Sequence, residues 1–167
     1  MLQALMSQSV WTLFFFMLES LGEMSLGVAS ISRSVYNVLF IPIISYGTAV
    51  RTTTGQLMGA DAADEIAPYL HRASRLSLGT AAVLATLVAI FASTVLRVFT
   101  DDPALIIAAI PSMRVLCLSF VIASVGNMYF HAVGGGGSTQ KVFRIELTGN
   151  IFYLLYAVAM VYLLRAP

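Results

Sequence analysis

Five long apolar runs, separated by short polar breaks, cover most of the chain, and none alternates with the two-residue period of a strand. The first runs over residues 2–18 and includes Phe14, Phe15 and Phe16; Glu19, Gly22 and Glu23 end it. The second covers residues 25–50 and turns polar through Arg51, Thr52, Thr53, Thr54 and Gln56. Pro42 lies inside it and predicts a kink rather than a stop. The stretch Gly59 to Glu65 reads as a loop, and a polar helical entry with His71, Arg72 and Arg75 leads into the third run, residues 76–99. Thr100-Asp101-Asp102-Pro103 reads as a turn, with Pro103 suited to a helix start. The fourth run, residues 104–133, is long for one crossing, and Pro111 is expected to divide it into a short interfacial piece and a span of about 22 residues, roughly 33 Å at 1.5 Å per residue. The glycines 134–137 and Ser138 form a flexible break before the fifth run, residues 143–164.

Composition decides what solvent these runs need. Of 167 residues, 59% are hydrophobic and only 10% charged, and the mean hydropathy is +0.88. A soluble domain carries roughly 25% charged residues, so a water-facing surface cannot be assembled here. Runs of this length match the ~20 residues that an α-helix needs to cross a bilayer. The expected fold is therefore all-α, a polytopic integral membrane helical bundle of about five transmembrane helices forming a single domain over residues 1–167. A net charge of +1 gives no electrostatic case for nucleic acid. Cys117 stands alone, which rules out an internal disulfide or a cysteine metal cluster, and no cofactor or metal is expected. Residues Met1 to Gln8 lack the basic region of a cleaved signal, so the first run is read as a retained span. Arg51, Arg72, Arg75, Lys141 and Arg144 fall on one side of this arrangement and Arg97 on the other, so the basic side is predicted to be cytoplasmic. The N-terminus is then cytoplasmic and the C-terminus external. An odd span count ending at Pro167 looks unfinished.

The polar residues within the spans are the candidate chemistry. Arg33 lies about nine residues into the second span, roughly 14 Å deep at 1.5 Å per residue. Facing lipid there it would cost at least ~2.5–3.5 kcal/mol, so it is expected to face protein or a wet cavity. Ser30, Arg33, Ser34, Asn37, Ser45 and Thr48 fall on one helical stripe, and Ser124, Asn127 and His131 on another. Two such stripes are compatible with a shared substrate or ion pathway, and equally with interhelical hydrogen bonds. Arg33, Asn37, Ser124 and Asn127 are the cavity-lining candidates. Glu146, one turn into the fifth span near Lys141 and Arg144, is either a snorkelling interfacial acid or an ion-coupling group. His131 and Arg114 read as interfacial side chains. No GxxxxGK[ST], HExxH, GxSxG or CxxC pattern occurs, and an enzyme is not expected.

Four segments in order carry a resemblance. They are Leu21-Gly22-Glu23 followed by Ile31-Ser32-Arg33-Ser34-Val35-Tyr36 and Ile41-Pro42; Thr54-Gly55-Gln56-Leu57-Met58-Gly59-Ala60, similar to a GQxxGA motif; Val98 to Pro103; and Val133 to Lys141, similar to an RGxGDTK turn. Together they resemble the multidrug and toxic compound extrusion (MATE) family. In the last segment Gly134 falls at the arginine, Gly135 and Gly137 at the glycines, Ser138 at the aspartate and Thr139 at the threonine, so the charged positions of that turn are lost. The resemblance makes the glycine run native rather than a linker. It implies the first five helices of one six-helix lobe, closer to C-terminal lobes, with a second lobe as partner. It also implies export of organic cations and other amphipathic drugs by Na⁺ or H⁺ antiport across the cell's inner (plasma) membrane. Some relatives carry acids in the first and fourth helices of this lobe; here those stretches offer Ser7, Gln8, Ser124 and Asn127, so the coupling acid is expected in the other lobe. A lipid or polysaccharide flippase and a non-transporting helical scaffold are the alternatives.

Overall fold

The computed structural model describes the path of residues 2–19 and 22–164, and the side chains of residues 8–19 and 22–160. The side chain of Ser7, Leu21 of the first resembling segment, and Pro167 lie outside the described residues. The elements are α1 (Leu2–Glu19), α2 (Glu23–Gly59), a short 3₁₀ turn (Ala63–Glu65), α3 (Ile66–Ile90), α4 (Ala92–Arg97), α5 (Pro103–Gly135) and α6 (Thr139–Leu164). The described residues contain no strand. Glu23–Gly59, Ala63–Ile90, Pro103–Gly135 and Thr139–Met160 are each long and apolar enough to cross a membrane. The first apolar run, residues 2–18, coincides with the helix α1 (Leu2–Glu19). The all-helical, polytopic membrane bundle expected from the sequence is the fold observed.

Three boundaries differ from the apolar runs, each for a local reason. The polar tail of the second run stays helical to Gly59, giving α2 37 residues. At 1.5 Å per residue that is about 55 Å, longer than a ~30 Å hydrocarbon core requires, and the surplus length falls on the polar Arg51–Gly59 end. The third helix begins at Ile66 and ends at Ile90, where Phe91 leaves helical geometry (φ −98°, ψ 26°) before the short α4. The division expected at Pro111 does not occur, because α5 runs unbroken through it. Pro111 and Ile107, whose carbonyl its ring would crowd, both lie on the exposed side of α5. There the helix can open slightly without disturbing packed neighbours. Pro42 likewise does not end α2.

Helices α2, α3 and α5 form the core. Helices α2 and α5 run parallel. Gly27 lies beside Leu105 at one end, Tyr36 and Phe40 against Phe120 in the middle, and Gly135 beside Arg51 and Thr54 at the other end. Helix α3 returns antiparallel between them. The hydroxyls of Tyr46 and Thr80 are 3.2 Å apart, and Ser77 Oγ donates to the Ser124 carbonyl at 3.2 Å. Its core-facing positions Ser74, Ser77, Ala81 and Ala85 are small and buried, which lets the α5 backbone approach, as interfaces between membrane helices require. Phe120, Ile43, Met113 and Met128 are fully buried at the centre. The opposite side of α5 shows Ile107, Val115, Leu118 and Ile122 at 66–70% exposure, an apolar ridge suited to lipid. The α1–α6 pair packs alongside, held by Trp11 and Phe14 on α1 against Tyr153 on α6, with ring centroids 5.7 and 5.5 Å apart.

This topology gathers the α2–α3 connection and the α5–α6 turn at one end of the bundle. Arg51, Arg72, Arg75, Lys141 and Arg144 thus share an end, together with Asp61, Asp64 and Glu65. The α1–α2 and α4–α5 connections, with Glu19, Glu23, Arg97, Asp101 and Asp102, share the other.

Candidate functional site

The α1–α6 pair does not close fully onto the α2–α5 groove, and a cavity of about 960 Å³ remains between the four helices. On α2 the lining residues Ser25, Val28, Ala29, Ser32 and Tyr36 recur every three or four positions, one face of the helix. On α5 Ala108, Ser112, Leu116 and Ser119 do the same. Trp11, Phe14 and Leu18 of α1 and Tyr153 of α6 complete the wall. The surface is mostly aliphatic and aromatic, with hydroxyls spaced along it, the mixture expected of a small-molecule cavity.

Arg33 lines this cavity together with Asn37, one turn further along α2. Both cavity-lining candidates on the second span thus come to one site. Arg33 lies ten residues from the start of α2, about 15 Å along the axis. Its guanidinium carbon sits over the Trp11 ring at 4.9 Å and over the Phe15 ring at 5.2 Å. Such cation–π contacts are worth up to about 2 kcal/mol when desolvated, which answers part of the cost of a charge at this depth. Ser32 Oγ is buried at the wall without a hydrogen-bond partner among the described residues.

The rest of the α2 stripe has a simpler role. Ser34 Oγ donates to the Ser30 carbonyl at 3.0 Å, Ser45 Oγ to the Ile41 carbonyl at 3.1 Å, and Thr48 Oγ1 to the Ile44 carbonyl at 2.9 Å. Each hydroxyl is satisfied by its own helix, the usual back-bonding of Ser and Thr within membrane helices. Ser30, Asn37, Ser45, Thr48 and Thr52 remain exposed on the side of α2 turned away from the core.

The second stripe lies elsewhere. Ser124 is fully buried between α3 and α5, donating to the Val121 carbonyl at 2.7 Å. Asn127 and His131 pack onto the α2 backbone at Gly47, nearer the basic end. Asn127 Oδ1 and His131 Nδ1 are buried there without a hydrogen-bond partner among the described residues. Neither Ser124 nor Asn127 is brought to the cavity with Arg33. Glu146 is half-buried on α6 and is not part of the cavity wall.

Trp11, Phe15, Tyr36, Tyr153, Ser112 and Ser119 are site residues that sequence reasoning missed. The spacing of Ala108, Ser112, Leu116 and Ser119 carried a signal, since small and hydroxyl side chains fall on one face of an otherwise large apolar helix. The aromatic contacts had none, because α1 and α6 meet α2 only through the tertiary fold. Among the described residues no group of three or more His, Cys, Asp or Glu side chains could hold a metal ion.

The glycine turn is also explained by its neighbours. Gly137 has φ +74°, a left-handed conformation that favours glycine, and a Cβ on Gly135 would collide with the Arg51 carbonyl.

No curated protein and no solved structure matches the chain. The family model described as MatE matches residues 1–159, nearly the whole length. With the polytopic helical bundle and the ordered segments already quoted, this match shows that the chain belongs to the MatE family.

Proposed function

We propose that this chain supplies one wall of the substrate pathway in a secondary active efflux transporter, which moves amphipathic drug-like organic compounds in exchange for Na⁺ or H⁺. Membership of the MatE family makes it a transporter of the multidrug-extrusion kind, embedded in a membrane that it crosses several times. The observation that carries the finer reading is the 960 Å³ cavity, with Arg33 and Asn37 on its wall. The charge of Arg33 is costly against lipid and is accounted for if this wall borders a wet pathway shared with a second lobe. In this reading transport proceeds by alternating access, two lobes rocking about a site held between them. The membrane is proposed to be the cell's inner (plasma) membrane, with the end carrying Arg51, Arg72, Arg75, Lys141 and Arg144 in the cytoplasm.

The test is efflux of an amphipathic fluorescent dye from cells expressing the intact gene product that contains this chain. Gradient-dependent efflux is expected, with Arg33→Leu inserted normally but altered in the rate or range of dyes exported. No efflux from the intact product would remove the drug-export reading and leave the lipid or polysaccharide flippase and the non-transporting scaffold. Unchanged efflux by Arg33→Leu would remove Arg33 from the pathway.

A further inference from the structure

We propose that the cavity takes an amphipathic organic anion, whose carboxylate, sulfonate or phosphate group is held by Arg33 while its apolar body lies against Trp11, Phe14 and Tyr36. This rests on the reading of the cavity as a substrate pathway and adds the charge of the substrate.

The argument starts from the charges present. Among the described residues of the wall, Arg33 is the single charged side chain, and no carboxylate faces it across the cavity. The rings of Trp11 and Phe15 lie against the guanidinium at 4.9 and 5.2 Å. Ring contacts of this kind hold a planar cation in place without cancelling its charge and without using its N–H donors. Those donors form a fork that matches a carboxylate or phosphate. Neutral hydrogen-bonding residues line the same cavity on both long helices: Ser32 and Asn37 on α2, Ser112 and Ser119 on α5. Ser32 Oγ is buried at the wall and has no partner among the described residues; a rotation about its χ1 would turn this unused hydroxyl toward a bound oxyanion.

An organic cation finds the opposite. It would approach the positive charge of Arg33, with no acid among the described residues of the wall to receive it. Trp11 and Phe15 are already engaged by Arg33, and the remaining rings of the wall, Phe14, Tyr36 and Tyr153, would have to hold an ammonium without the help of a carboxylate. The organic cations implied by the sequence resemblance are therefore the poorer fit to this wall, whereas an anion relieves the cost of keeping Arg33 charged within the bilayer.

Trp11 is the sole tryptophan of the chain and forms part of the cavity wall, so its emission reports on the site directly. The chain is placed in phosphatidylcholine nanodiscs and titrated with p-nitrobenzoate and, separately, with p-nitrobenzylammonium, two quenchers that share an aromatic body and differ in charge. The expected result is saturable quenching by the anion with an affinity at least about tenfold above that of the cation, the lower end for one charge-assisted hydrogen-bond pair. Arg33→Gln should abolish that preference. Equal or tighter binding of p-nitrobenzylammonium by the unmodified chain overturns the proposal, and this arm needs no variant to fold. An anion affinity unchanged by Arg33→Gln overturns it as well. Two sources of the anion are separated by lipids brominated in their acyl chains. Stronger quenching by brominated phosphatidic acid than by brominated phosphatidylcholine, lost in Arg33→Gln, assigns the site to a lipid headgroup; equal quenching by the two lipids assigns it to a soluble organic anion. Binding at Trp11 is read without any flux. Anion preference in a protein that exports nothing would leave the ligand class standing and remove the transport reading; efflux with cation preference would do the reverse.

Discussion

At Gly47 an added Cβ would sit 2.5 Å from the His131 ring and 2.8 Å from Asn127 Oδ1, and at Gly135 it would strike the Arg51 carbonyl and the Thr54 Cβ. At both glycines α2 and α5 pack without room for a side chain, towards the basic end. In a bilayer, helices associate through close packing rather than through expulsion of water, so these two contacts set the approach of the bundle's main pair. Gly47→Ala and Gly135→Ala should each destabilise the folded chain by about 1–3 kcal/mol, the usual cost of overpacking, and lower its midpoint of thermal unfolding in mild detergent. Gly79→Ala is the matched control. It lies in the helical interior of α3 with nothing within 4 Å of the new methyl, and should be neutral or stabilising by up to about 1 kcal/mol. Unfolding midpoints for Gly47→Ala and Gly135→Ala equal to that of the unmodified chain would show that the helices can part without loss.

Among the elements, the start of α5 is the best specified locally. Asp102 takes an extended conformation (φ −77°, ψ 111°), its Oδ1 accepts from the Ala104 N–H at 2.9 Å, and Pro103 follows at the first helical position. A carboxylate at that point also complements the positive end of the helix. Asp102→Ala should cost about 0.5–2 kcal/mol of stability, measured by the same thermal unfolding, while Asp101→Ala, beside it but without the cap, should change little. A cost for Asp101→Ala as large as that for Asp102→Ala would contradict this division of roles. This turn was fully legible in the sequence because a cap followed by proline is a local signal. So were the loop at Gly59 to Glu65 and the long apolar helices, which depend only on the composition of neighbouring residues. The break at Phe91 was not legible, since no proline or glycine marks it. The continuity of α5 through Pro111 was hidden too, because it depends on which side of the helix the proline occupies. At the site, Arg33 and Asn37 could be placed from helical spacing and the cost of a charge in lipid. That spacing could not separate them from Ser124 and Asn127, because it fixes the face of one helix and says nothing of which neighbour covers it.

For the whole molecule, the distribution of carboxylates bears on how transport is driven. Exchange for Na⁺ or H⁺ calls for a group that can gain or lose charge within the membrane at moderate cost, and a carboxylate both protonates and ligates hard cations. The chain has eight acidic residues. Asp61, Asp64 and Glu65 lie at the basic end in the α2–α3 connection; Glu19, Glu23, Asp101 and Asp102 lie at the other end. Glu146 is seven residues into α6, about 10 Å from the basic end, close in sequence to Lys141 and Arg144 and off the cavity wall. None of the eight lines the cavity with Arg33. The coupling group is therefore proposed to belong to a second lobe that completes the pathway, and binding of substrate and of the driving ion would be divided between the two lobes. This chain expressed alone should then insert into proteoliposomes, with the protease resistance of a folded bundle, and show no dye movement driven by a Na⁺ or pH gradient. Glu146→Gln should behave as the unmodified chain does. Robust gradient-dependent flux through the chain alone, lost in Glu146→Gln, would overturn the division of labour and make Glu146 the coupling group, with α6 rather than a second lobe carrying the ion.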